Sequence, residues 1–198
     1  IYSSVPITMS GTPPAGGWHF TWGSCCRNTG ITNGMSGDNW TLRAVMYPYI
    51  DPNGIVLPSG SMCHDNSPIF KEQAKSILCT GYPFSYSHLA FDTELDSLSY
   101  SWADPLGNET SYDPNNPNSI ALPFDLPYSV NSPLPGNPTL NNENGEISFN
   151  SSTAGVFVTC VKVSAFKCGQ VVAEVFREVQ VVLMGCGDLP NGQPNLPP

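Results

Sequence analysis

The segment 79–106, CTGYPFSYSHLAFDTELDSLSYSWADPL, constrains the fold of this chain more than any other stretch. Leu98, Tyr100 and Trp102 alternate with Ser97, Ser99 and Ser101. A period of two places the large apolar side chains on one face and the serines on the other, the mark of a half-buried strand. An acidic turn, Asp92-Thr93-Glu94-Leu95-Asp96, comes just before it. Turn and strand together open a β-sandwich unit.

The remaining pattern is also that of strands. The chain predicts strands over 17–23, 39–49, 76–79, 84–90, 97–103, 120–124, 145–149, 155–166 and 170–184. The last two are long and rich in Val, and Lys167-Cys168-Gly169-Gln170 is their hairpin connection. With 18 Gly, 20 Pro and only 12% charged residues, little is left to build exposed helix faces. The expected class is all-β: tandem immunoglobulin-like sandwiches of PKD or cadherin type, the first incomplete. Residues 1–65 read as the last strands of one sandwich, or as a half-domain leaning on its neighbour. Residues 66–187 have the length of an immunoglobulin-like sandwich, and 188–198 read as a linker. Between Asp104 and Leu140 runs a long Asn- and Pro-rich stretch, and a loop of that length is usually functional or an insertion.

The formal net charge is −9, and only seven Lys and Arg residues occur. Phosphate binding needs clustered cations, so nucleic acid is not an expected partner. The same balance argues against anionic membrane surfaces. No run approaches the roughly 18–20 apolar residues of a membrane-spanning helix. The start, Ile1-Tyr2-Ser3-Ser4, lacks a basic region and an apolar core, which predicts a chain that begins mid-protein or after processing. A weakly charged, acidic surface suits a secreted protein.

Seven cysteines occur, at Cys25, Cys26, Cys63, Cys79, Cys160, Cys168 and Cys186. None forms a Cys-x-x-Cys pair, and His19, His64 and His88 are the only histidines, so zinc fits poorly. Disulfides in an oxidising compartment fit better, and all seven are candidates. Adjacent residues of a strand point opposite ways. One of Cys25 and Cys26 could then close a loop to Cys63 while the other reaches a cysteine upstream; the count is odd, so one thiol is free or pairs outside this sequence, and the connectivity stays open.

Asp92, Glu94 and Asp96 alternate within a turn. Carboxylates so spaced can converge on calcium, which takes about six to eight oxygen ligands, and Asp104 with backbone carbonyls would complete the shell. A solvated acidic turn is the competing reading. Arg27, Asn28 and Asn33 read either as a recognition loop or as a structural turn, with Arg27 on backbone carbonyls and the asparagines as local caps. Among the aromatic residues, Trp40 and Tyr112 are candidate glycan contacts, against the commoner role of strand aromatics in a core. No Gly-x-Ser-x-Gly elbow, His-Glu-x-x-His helix or phosphate-cradling glycine loop occurs. No catalytic residue is therefore nominated, and a non-enzyme is expected.

The ordered motifs resemble a known family. CCRNTGITN at 25–33 is similar to the CCRN-x-x-I-x-N signature of large surface proteins of gliding Bacteroidota-type bacteria, which usually end in a gliding-motility-associated or type IX secretion sorting domain. The series continues with Asn66-Ser67-Pro68-Ile69-Phe70, Cys79-Thr80-Gly81-Tyr82-Pro83-Phe84 and Asp92 to Tyr100. It closes with Gly145 to Phe149, Gly155 to Val158, and Arg177 through Cys186. Glu94-Leu95 stands where the family has Asp-Gly.

The resemblance implies a non-catalytic structural or adhesive module of a long, secreted cell-surface adhesin, with sandwich repeats and disulfides. Expected partners are neighbouring domains of the same chain, surface polysaccharide, or a secretion or motility component. No cofactor is required, and calcium would serve only to stiffen a joint. The alternative is a carbohydrate-binding module of a secreted surface protein.

Overall fold

The computed structural model describes residues 5–57, 66–74 and 76–186. Eleven strands follow in chain order: β1 (Trp18–Ser24), β2 (Trp40–Met46), β3 (Ile69–Phe70), β4 (Ile77–Cys79), β5 (Pro83–Ser87), β6 (Ala90–Phe91), β7 (Ser97–Trp102), β8 (Thr139–Leu140), β9 (Glu146–Asn150), β10 (Gly155–Lys167) and β11 (Gln170–Met184). One 3-10 turn, Glu109–Ser111, is the only helical element among the described residues. The protein is all-β, with several antiparallel sheets. No helix among the described residues is long and apolar enough to cross a membrane.

The β10–β11 hairpin is the frame. Lys167 pairs with Gln170, so only Cys168 and Gly169 turn the chain, at φ 49° and 79°. Two positive φ values in succession mark a type I′ turn, whose twist matches that of the strands it joins. A register shift between Ala165 and Phe166 adds a bulge beside the turn. β7 pairs with the other edge of β10 through residues 97–102, as the alternation of Leu98, Tyr100 and Trp102 predicts.

The far edge of β11 is divided between two strands. β2 takes residues 173–175, and β4 runs parallel to residues 182–184. With β1 added beyond β2, the order is β1-β2-β11-β10-β7, and β4 also pairs with β11. β1 and β2, read above as the last strands of one sandwich or as a half-domain leaning on its neighbour, thus join the sheet built on β11. A long strand covered on one edge leaves donors and acceptors on the other, and β2 and β4 satisfy part of them. The expected linker 188–198 lies outside the described residues.

Two other expectations are corrected. Residues 84–90 split into β5 and β6, because Leu89 at φ 38° breaks the strand. Residues 120–124 form no strand: Ala121 makes an isolated bridge to Leu106 instead.

A second sheet, β5-β9-β8, packs on one face of the large one. Their shared core contains Phe157, Val161 and Val163 of β10, Val175, Val179, Val181 and Leu183 of β11, and Ile147 and Phe149 of β9. The Cys79–Cys186 disulfide joins the end of β4 to the chain just past β11, across a sequence separation of 107. The opposite face of β10 and β11 is covered by irregular chain. There Ile31, Met35 and Val158 form a small core with Leu122, Phe124 and Val156.

Candidate functional site

The two long strands leave gaps that side chains fill. β2 pairs with β11 only through Ala44, Val45 and Met46. Beyond Ala44 the strands diverge, and residue 106 moves in beside β2: the Thr41 amide donates to the Leu106 carbonyl (3.1 Å), and the Thr41 hydroxyl to Gly107 (2.6 Å). Arg27 plugs the opening. Its Nε and one Nη2 hydrogen make a bidentate pair with Glu178, both at 2.7 Å. Nη2 also donates to the Leu106 carbonyl at 2.8 Å, and Nη1 to that of Asn39. The guanidinium is 6% exposed as a residue, so its charge is neutralised inside the protein by Glu178.

Asn33 fills a second gap. Where β7 has ended, Val158 of β10 lacks a strand neighbour on the edge away from β11. Asn33 Oδ1 accepts from the Val158 amide (3.0 Å), and its Nδ2 donates to the Val158 carbonyl (2.8 Å) and to that of Pro133 (2.8 Å). The amide group thus imitates a strand backbone. The expected local cap is in fact a long-range tie, fully buried. Arg27 does hold carbonyls, as the structural reading of this loop required. Its carboxylate partner, Glu178, is the residue the sequence reading missed, because it lies 151 residues away and only the fold brings it to Arg27.

The cysteines differ from expectation. Cys25 is disulfide-bonded to Cys26 rather than to Cys63 or an upstream residue. The opposite-facing argument assumed that both lie within a regular strand, whereas β1 ends at Ser24. Cys63 lies outside the described residues. Cys160 and Cys168 carry free thiols, Cys160 buried and Cys168 exposed. Burial, reinforced by the Glu178 carboxylate, pushes the Cys160 thiol pKa up and makes it a poor nucleophile.

The acidic turn does not gather its carboxylates. Asp92 is buried, and its Oδ1 accepts from the amides of Glu94 and Asp96, both at 3.0 Å; its Oδ2 is buried with no hydrogen-bond partner. Glu94 turns outward to Thr93 and Asn66, which hold its carboxyl below the usual range. Asp96 pairs with Lys167 Nζ at 3.1 Å. Asp104 is half-buried in the loop after β7, and its charge acts on Cys160. Among the described residues no group of three or more His, Cys, Asp or Glu is placed to hold a metal ion. Leu95 adopts φ 62° and is 80% exposed, so the turn enters the left-handed region that a Gly would accept freely.

Trp40 and Tyr112 lie on opposite sides of β1–β2. Trp40 packs edge-to-face on Trp22, with centroids 4.8 Å apart. Tyr112 meets His19, three positions along β1 from Trp22 and hence on the other face, with its hydroxyl 2.6 Å from His19 Nδ1.

What the structure brings together is a cleft of about 250 Å³ in the β2–β11 opening, lined by Cys26, Arg27, Asn28, Trp40, Leu42, Glu178 and Gln180. Asn28 Nδ2 donates across it to Gln180 Oε1 at 3.0 Å. Comparison of the chain with protein-family models, with curated proteins and with solved structures gives no match.

Proposed function

We propose that this chain is a non-catalytic structural and adhesive module of a large bacterial cell-surface protein, built on an immunoglobulin-like sandwich and displayed outside the cell. The observation that carries the reading is the Cys79–Cys186 disulfide, which clamps β4 alongside the last residues of β11, Val182 to Met184. Stable disulfides belong to oxidising compartments. A clamp at the end of the longest strand also opposes peeling of β11 under load. The motif order set out above points to the same setting. Arg27, Ile31 and Asn33, the core of that signature, all tie irregular chain to the central hairpin, through Glu178, Val158 and Val158 respectively.

Calcium is not required in this reading, because the Lys167 ammonium already faces Asp96. Calorimetric titration with millimolar calcium should give no saturable heat; a saturable heat would return the ion to the turn. The test of the reading as a whole is labelling of intact producing cells with a membrane-impermeant biotin reagent. The chain should be labelled without lysis. Labelling only after lysis would contradict an extracellular module.

A further inference from the structure

We propose that the cleft between β2 and β11 binds a neutral carbohydrate, with Trp40, Leu42 and Cys26 as its apolar platform and the Asn28–Gln180 amide pair as its polar contact. The inference deepens the adhesive reading above and rests on it.

Charge selects the ligand class. The only ionised groups lining the cleft are Arg27 and Glu178, and they neutralise each other through two hydrogen bonds. Four hydrogen bonds engage Arg27, leaving one of its five N–H donors. A phosphate or carboxylate ligand would find no unpaired cation, and a cationic ligand no unpaired anion. Desolvation without compensation disfavours both. A hydroxyl-rich, uncharged ligand carries no such cost.

Polar geometry agrees. The Asn28–Gln180 bond uses one donor of Asn28 and the acceptor of Gln180. It leaves the Asn28 Oδ1 acceptor and the Gln180 Nε2 donor for a ligand, on an exposed and a half-buried residue. One acceptor and one donor on the cleft lining suit sugar hydroxyls, each of which both donates and accepts. Because the amides already hold one another, little side-chain freedom remains to be lost on binding.

The apolar side completes the set. Cys26, which lines the cleft, is exposed, and Trp22 fixes the Trp40 ring edge-to-face. The C–H faces of a pyranose pack on aromatic and sulfur surfaces of this kind. At about 250 Å³ the cleft falls just under the roughly 300–1,000 Å³ of small-molecule pockets, which suits one or two sugar residues of a longer chain lying across it.

The test is a glycan array carrying neutral and acidic oligosaccharides, followed by titration of the strongest neutral hit. Trp40→Ala and Gln180→Ala should each weaken that hit, Trp40→Ala by about tenfold or more, the loss of one stacking partner. Asn28→Ala, at an exposed position, gives the same direction without threatening the fold. Tyr112→Phe, on the opposite face, should leave binding unchanged. Silence toward neutral glycans, binding of acidic glycans only, or a neutral hit indifferent to Gln180→Ala and Asn28→Ala would overturn the assignment. A chain labelled on intact cells but silent on the array overturns the cleft alone, whereas a chain confined inside the cell overturns the module reading.

Discussion

Two buried polar residues carry more of this fold than their side chains suggest. Asn33 substitutes for a strand beside Val158, so Asn33→Ala leaves an amide and two carbonyls of the interior without partners. An unsatisfied buried group costs about 1–3 kcal/mol, and the variant should lose on the order of 3 kcal/mol in urea unfolding. His88 is 1% exposed, with both ring nitrogens unpartnered, between Tyr86 and Phe70 and near Arg177. Burial, with the Arg177 charge second, lowers its pKa to about 4. The unfolded chain then takes up a proton as pH falls below about 6.5 while the native state resists. Stability is therefore full above pH 6.5 and declines toward pH 4, by on the order of 3 kcal/mol from this group. His88→Phe should flatten the melting temperature over that interval; an unchanged slope would assign it to the carboxylates. Neither role was visible in the sequence, since Asn33 depends on Val158 and Pro133 and His88 on Phe70 and Arg177, all distant in the chain.

At the scale of elements, the strands written in period two or in Val-rich runs were legible: β7, β10 and β11 stand where their patterns place them. The break at Leu89 was not, because nothing local marks a leucine for positive φ. Nor was the destination of β1 and β2. Alternation shows which face of a strand is buried, but not which edge it joins. The hairpin turn offers a direct check. Cys168 holds a type I′ position that Asn fills more readily, ahead of Gly169. Cys168→Asn should raise stability by about 0.5–1 kcal/mol, the scale of turn-residue effects, and leave no thiol that native-state alkylation can reach among the described cysteines. Cys160 should react only after unfolding.

For the whole molecule, cysteine content pointed to disulfides, but the pairing had to come from the fold. β4 brings Cys79 to the end of β11, with Cα atoms of Cys79 and Cys186 5.3 Å apart. A closed loop with a sequence separation of 107 contributes about 4–5 kcal/mol by chain entropy. Replacing both residues by Ala should lower stability by that order without altering the strand spectrum. The site shows the same division: Arg27, Asn28 and Trp40 stood out in the sequence, whereas Glu178 and Gln180, from the other end of the chain, meet them only in the folded sheet.

The most direct test of a disulfide-clamped extracellular module is a non-reducing peptide map of the protein recovered from the surface of intact cells. The expected map shows Cys25 linked to Cys26 and Cys79 linked to Cys186, with Cys160 free. Free thiols at Cys79 and Cys186, or a link from either to another cysteine, would contradict it.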